Sequence, residues 1–152
     1  MRVPGRTPLI VASACSFFVA ALHVAIAIFG PDWYRYFGAP SLADRIEAGS
    51  VLLPTLLTLA VATVFAVWAF YALSGAGAVR RLPLLRVALF LIAAIYLLRG
   101  LQVVPEVIAL VRGTVPLRFA VFSAFSGFAG MAYLLGTVRA GRARRAPVGH
   151  AG

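Results

Sequence analysis

The chain has no lysine, one cysteine, two histidines and four acidic residues among its 152 positions. Each scarcity excludes something. Cys15 alone rules out an internal disulfide or a cysteine-rich metal cluster, and within an apolar run its thiol reads as a small packing group. His23 and His150 lie in separate parts of the chain and cannot assemble a histidine-rich ligand set, so neither a metal nor a cofactor is expected. There is no Ser/His/Asp arrangement, phosphate-binding glycine loop or paired catalytic motif, so nothing names a reaction and the reading leans away from an enzyme. All fourteen basic side chains are arginine, which reads as a compositional bias of the genome. The formal net charge of +10 would suit nucleic acid in a soluble domain. Here the charges are scattered between apolar runs that leave no room for such a domain, so no nucleic acid is expected and anionic lipid headgroups are the partner that fits.

What the chain does have is apolar surface. It is 62% hydrophobic and 12% charged, with a mean hydropathy of +0.98, where a soluble domain holds about 45–50% apolar and about 25% charged residues. Four runs are long enough to cross a hydrocarbon core of about 30 Å. The expected fold is an all-α, four-helix transmembrane bundle, with spans at about 9–29, 51–73, 83–104 and 115–138 forming a single domain over residues 1–138. Residues 139–152 read as a disordered, basic, cytoplasmic tail.

Arg2 and Arg6 precede the first span. Ala25-Ile26-Ala27 fits a signal-peptidase site, but the apolar run exceeds the usual signal core, which favours a retained span over a cleaved leader. Ser13, Ser16, Ala20, His23 and Ala27 make one narrow stripe of small or polar groups, as membrane helices use for close approach. Residues 30–50 form the longest polar connection and hold Asp32, Asp44 and Glu47. Within it Trp33, Tyr34, Tyr36 and Phe37 read as an interfacial aromatic belt, with an aromatic substrate cage as the alternative. Ser41 followed by Asp44 predicts a capping box and a short helix over 41–48. Pro54 is tolerated if Ser50 caps the second span and places the proline in its first turn. Arg86 lies near the start of the third span, where it snorkels to the headgroups. Pro105 is expected to end or kink that span, and Ser123-x-x-x-Gly127 and Ser126-x-x-x-Gly130 give the fourth span two small-residue faces.

The arginines set the expected orientation. Nine of them (2, 6, 80, 81, 86, 139, 142, 144 and 145) fall on one side with no acid among them, and five fall with all four acids on the other. The positive-inside rule then puts both termini in the cytoplasm, N-in/C-in, in a bacterial inner (plasma) membrane.

Arg99 is the residue that needs an explanation, because a guanidinium in hydrocarbon costs a few kcal/mol unless it is paired or hydrated. Tyr96, Arg99 and Gln102 are spaced by three and share a helix face, which Glu106 joins if the helix survives Pro105. His23 is expected at similar depth, and Glu47, just outside the second span, within reach of the same layer. These six residues define a candidate polar crevice. In one reading it binds an anionic or quinone-like ligand through Arg99, with His23 as hydrogen-bond partner or proton carrier. In the other, Arg99 pairs with Glu47 or Glu106 to clamp helices together and His23 bonds a neighbouring backbone or hydroxyl group.

Residues 37–59, FGAPSLADRIEAGSVLLPTLLTL, resemble the loop and second span of DoxX-like four-helix membrane proteins. In those proteins a glycine-proline turn precedes a helix carrying a glutamate, matched here by Gly38, Pro40 and Glu47. Residues 80–100, RRLPLLRVALFLIAAIYLLRG, are similar to small bacterial inner-membrane proteins, and the two likenesses together span about a third of the chain. The DoxX-like resemblance implies a link to quinone-coupled oxidation. The residues themselves favour a non-enzymatic accessory or interaction subunit, meeting a membrane-protein partner or a second copy through its small-residue faces, with a ligand-binding or quinone-linked protein as the alternative. The orientation is directly testable: reporter fusions at Gly77 and after the C-terminus should score cytoplasmic and one after Gly38 periplasmic, and a periplasmic C-terminus would overturn the four-span arrangement.

Overall fold

The computed structural model describes residues 5–143, all of whose regular structure is helical. In order the helices are α1 (Arg6–Phe29), α2 (Pro31–Tyr36), α3 (Pro40–Glu47), α4 (Leu52–Gly75), α5 (Leu85–Leu101), α6 (Val103–Val111) and α7 (Leu117–Ala143). Four stretches are long and apolar enough to cross a membrane: Arg6–Phe29, Leu52–Gly75, Leu85–Val111 and Leu117–Arg142. Such helices satisfy their own backbone hydrogen bonds, which is what hydrocarbon demands of a spanning segment. Helix α7 carries residues 139–143 of the basic C-terminal stretch; residues 144–152, with His150, lie outside the described residues.

The third of these stretches runs through Pro105. Helix α5 ends at Leu101, Gln102 keeps helical dihedrals (φ −62°, ψ −15°), and α6 begins at Val103. Pro105 therefore falls in the first turn of α6, where a backbone N–H has no intrahelical acceptor to lose. The Glu106 N–H reaches back to the Gln102 carbonyl at 3.1 Å, so the helical path carries Glu106 onward.

The chain divides into two compact units, the described parts of Met1–Ala14 with Phe70–Gly152 and, separately, Cys15–Ala69. In the first unit α5 packs along α7. The contact is closest where a Cβ placed on Gly100 would stand 2.5 Å from the Gly127 Cα. Leu97 meets Gly130 three residues back along α5 and three residues on along α7, and Arg86 meets Gly141 fourteen residues back and fourteen on. Equal steps in opposite directions keep the antiparallel pair in one register over about 21 Å. Tyr96 and Tyr133, both buried, stack across it at 5.7 Å. Near the α7 terminus, Leu9 of α1 is fully buried against Gly136 and also touches Gly75 of α4. Gly127 and Gly130, on the small-residue faces expected to allow close helix contact, make that contact with α5 of the same chain.

In the second unit Gly30, at φ 80°, breaks α1 and lets α2 start on Pro31. Helix α3 forms where the sequence places it, but its N-cap is Ala39 and no side-chain cap bond is made. Pro40 at the first helical position pre-sets φ and has no N–H to satisfy, so the helix starts without the expected Ser41/Asp44 capping box. The aromatic group also divides: Trp33 stacks on Phe29 at 4.5 Å, whereas Tyr34 is buried with Ile26 and Ala43, its hydroxyl donating to the Pro54 carbonyl at 3.3 Å. Tyr34 is a core residue, because the turn of α2 aims it at the start of α4, where Pro54 is fully buried too.

The α5–α7 crossing makes an asymmetric prediction. A methyl at position 100 meets backbone, while one at 127 stands an ordinary 3.6 Å from the Gly100 Cα. Gly100→Ala should therefore lower stability by about 1–3 kcal/mol as the helices are forced apart, and Gly127→Ala should be close to neutral. Thermal unfolding in detergent checks both, and equal effects would show that the crossing is looser than described.

Candidate functional site

The candidate residues fall into two groups, one in each unit. In the first, Arg99 is the fifteenth of the 27 residues of Leu85–Val111. Its Nη1 lies 3.4 Å from the Glu106 Oε1, seven residues on, which is two helical turns and the same face. That nitrogen also donates to the Oγ of Ser123 on α7, and Ser123 is fully buried. Ser123 is held opposite Arg99 because Gly127, one turn further along α7, lets the two backbones approach. The carboxylate balances the guanidinium charge and the hydroxyl fills a second acceptor position, which lowers the cost of an arginine in an apolar setting. The pair is unevenly covered: the Arg99 side chain is 44% exposed and that of Glu106 19%. The second carboxylate oxygen of Glu106, Oε2, is buried and accepts no hydrogen bond among the described residues. Tyr96 is buried against Tyr133, while Gln102 lies on the exposed part of the helix surface.

In the second group, His23 bonds its own helix through Nδ1, 2.8 Å from the Val19 carbonyl. A carbonyl only accepts, so Nδ1 carries the proton and, in the neutral ring, Nε2 is left as an acceptor. Phe65 of α4 lies against the imidazole at 5.3 Å. Glu47 is held by Arg35 in a two-pronged pair, both N···O distances being 2.6 Å, and Asp44 takes a third bond from the same guanidinium at 2.8 Å. This cluster ties α2 to α3 on an exposed surface. Arg35 holds the Glu47 carboxyl below the ordinary carboxylate range by hydrogen bonding, and Glu47 and then Asp44 push the guanidinium further up.

Of the six residues named from the sequence, Arg99 and Glu106 meet directly, Tyr96 packs one turn away and Gln102 faces outward. Glu47 spends both oxygens on Arg35. Sequence reasoning missed Arg35, Asp44 and Ser123. The signals were present: an arginine within the acid-bearing connection, and a hydroxyl in the Ser123-x-x-x-Gly127 motif that read only as a packing face.

Comparison with protein-family models, with curated proteins and with solved structures finds no match to this chain. In this structure Glu47 serves the Arg35 pair.

The pair has a definite pH window. A carboxyl depressed by folding contributes stability that is complete above its unfolded value, near pH ~4.3, and that is lost as pH falls through the lower folded value. The difference in unfolding midpoint between the native chain and Glu47→Gln should stay constant from neutrality to about pH 5 and close at more acid pH. Thermal melts across that range measure it, and a difference that closes near neutrality would exclude the pair.

Proposed function

We propose that the protein is an integral protein of the bacterial inner membrane, with both termini cytoplasmic, and that it works as a non-enzymatic accessory or interaction subunit. The observation that carries this reading is the engagement of Arg99, its most expensive side chain, by Glu106 and Ser123 of the same chain. A guanidinium matched by a carboxylate of its own long helix and tied by a hydroxyl to α7 serves as a structural clamp rather than as a free anchor. The outward surface is apolar along these helices, with Leu91, Leu98, Val104 and Val121 all exposed, and suits lipid or an apolar partner helix.

A second reading is favoured by one feature. The buried Glu106 Oε2 is an acceptor waiting for a donor, and Arg99 beside it is partly open. A hydroxyl- or quinol-bearing ligand would satisfy that oxygen, in line with the quinone-linked function that the DoxX-like resemblance implies.

A double-mutant cycle of Arg99→Leu and Glu106→Leu, followed by thermal unfolding in detergent, separates the two. For the clamp, each single variant strands a charge and loses stability, the double variant recovers much of it, and the coupling is about 1–2 kcal/mol. Zero coupling removes the clamp. A lipid or quinone retained at one per chain in native mass spectrometry, and lost on Arg99→Leu, establishes the second reading.

A further inference from the structure

Arginines crowd the end of the first unit opposite Glu106. The start of α5 meets the end of α7 there, with the Arg86 guanidinium lying against Gly141 so closely that a Cβ on that glycine would stand 2.9 Å from Nη2. Arg80 and Arg81 enter from the α4–α5 connection, and Arg139 and Arg142 from the last turns of α7. No acidic residue opposes them in this unit other than Glu106, which is twenty residues along the α5–α6 path from Arg86, or about 30 Å away. Among the described residues the ion pairs belong to Arg35 and Arg99, and none involves these five arginines.

The end of the α4–α5 connection and the first turn of α5 form an open cleft of about 280 Å³ lined by Arg81, Leu82, Leu84, Leu85, Arg86 and Val87. Its rim is held in place: the buried Ser74 hydroxyl donates to the Arg80 carbonyl and accepts the Leu82 N–H, each at 3.0 Å, which fixes the backbone on both sides of Arg81. Its lining joins two arginines to apolar side chains, of which Leu84 is 78% exposed and Val87 57%.

We propose that this cleft seats the headgroup of an anionic phospholipid, its phosphodiester between Arg81 and Arg86 and its upper acyl chain along Leu84 and Val87. The inference rests on the membrane reading above and adds a specific lipid site to it. The ligand must be both anionic and amphiphilic. Guanidinium groups pair phosphate oxygens two at a time, an uncompensated basic end selects negative charge, and the exposed leucine and valine give the acyl chain a surface that a free phosphate ester would leave bare. Simple snorkelling to any headgroup needs neither the pinned rim nor the cleft.

The test uses the full chain in detergent, titrated with phosphatidylglycerol or with phosphatidylcholine of the same acyl chains and read by native mass spectrometry. Phosphatidylglycerol should bind more tightly. Its affinity should fall about fivefold for each of Arg81→Gln and Arg86→Gln, fall by less in Arg86→Lys, which keeps the charge but loses the paired donors, and be unchanged in Arg112→Gln, a control in the α6–α7 connection. Gly141→Ala keeps every charge but displaces the Arg86 guanidinium, so it should weaken binding without altering the thermal melt; it carries the test if a glutamine variant fails to fold. Equal losses in Arg112→Gln, or no preference between the two lipids, would overturn the site. Displacement of the bound lipid by glycerol phosphate at matched concentration would assign the cleft to a soluble phosphate ester and overturn the lipid. Resistance to alkaline extraction from vesicles keeps the two levels apart: loss of insertion removes the membrane reading and this site together, whereas insertion without lipid preference removes the site alone.

Discussion

The close approach of two backbones at Gly100 and Gly127 is the contact on which most of the first unit depends. Between membrane helices apolar burial supplies little net attraction, since lipid chains are as apolar as leucine, so packing distance decides what else can form. Because α5 and α7 touch through glycine, Ser123 comes within reach of Arg99 one turn to one side, and Leu97 and Tyr96 settle on Gly130 to the other. The same register carries Arg86 to Gly141 at the far end. A single bulkier residue at the crossing would move all of these together, which ties the polar layer to the packing rather than to its own charges.

The charged groups follow a simple economy. Arg99 is matched by Glu106 and Ser123 inside a long apolar helix, and Arg35 by Glu47 and Asp44 on the surface. All four carboxylates of the chain lie between residues 32 and 106, so the ends of the sequence are left with arginine alone. The shorter ion-pair contacts tie the two short helices on the surface, at 2.6 and 2.8 Å, and the longer one, at 3.4 Å, lies within the apolar helix. The pinned α4–α5 connection turns that imbalance into a shaped surface rather than a diffuse one.

Much of the fold was legible because the hydrocarbon constraint acts on composition. Four long apolar runs between short connections leave the chain few ways to satisfy its backbone, and the helices form where the runs lie. The short helix near 41–48 was legible as well, though its start rests on Pro40 rather than on a serine cap. Of the candidate layer, the Arg99–Glu106 spacing was readable as two turns of one helix, but only a helix continuing through Pro105 makes that spacing meaningful.

By itself the sequence determined the helical class, the number of long apolar helices, and the identity of Arg99 as the side chain most in need of a partner, since these follow from composition and from periods of three and four residues. Tertiary structure decided which partner each polar group took. Ser123 against Arg99, Arg35 against Glu47 and Tyr34 against the Pro54 carbonyl join residues twelve to twenty-four positions apart. Such choices turn on ångström-scale backbone approach and on the rotation of one helix about its axis, and neither is encoded in any local run of residues.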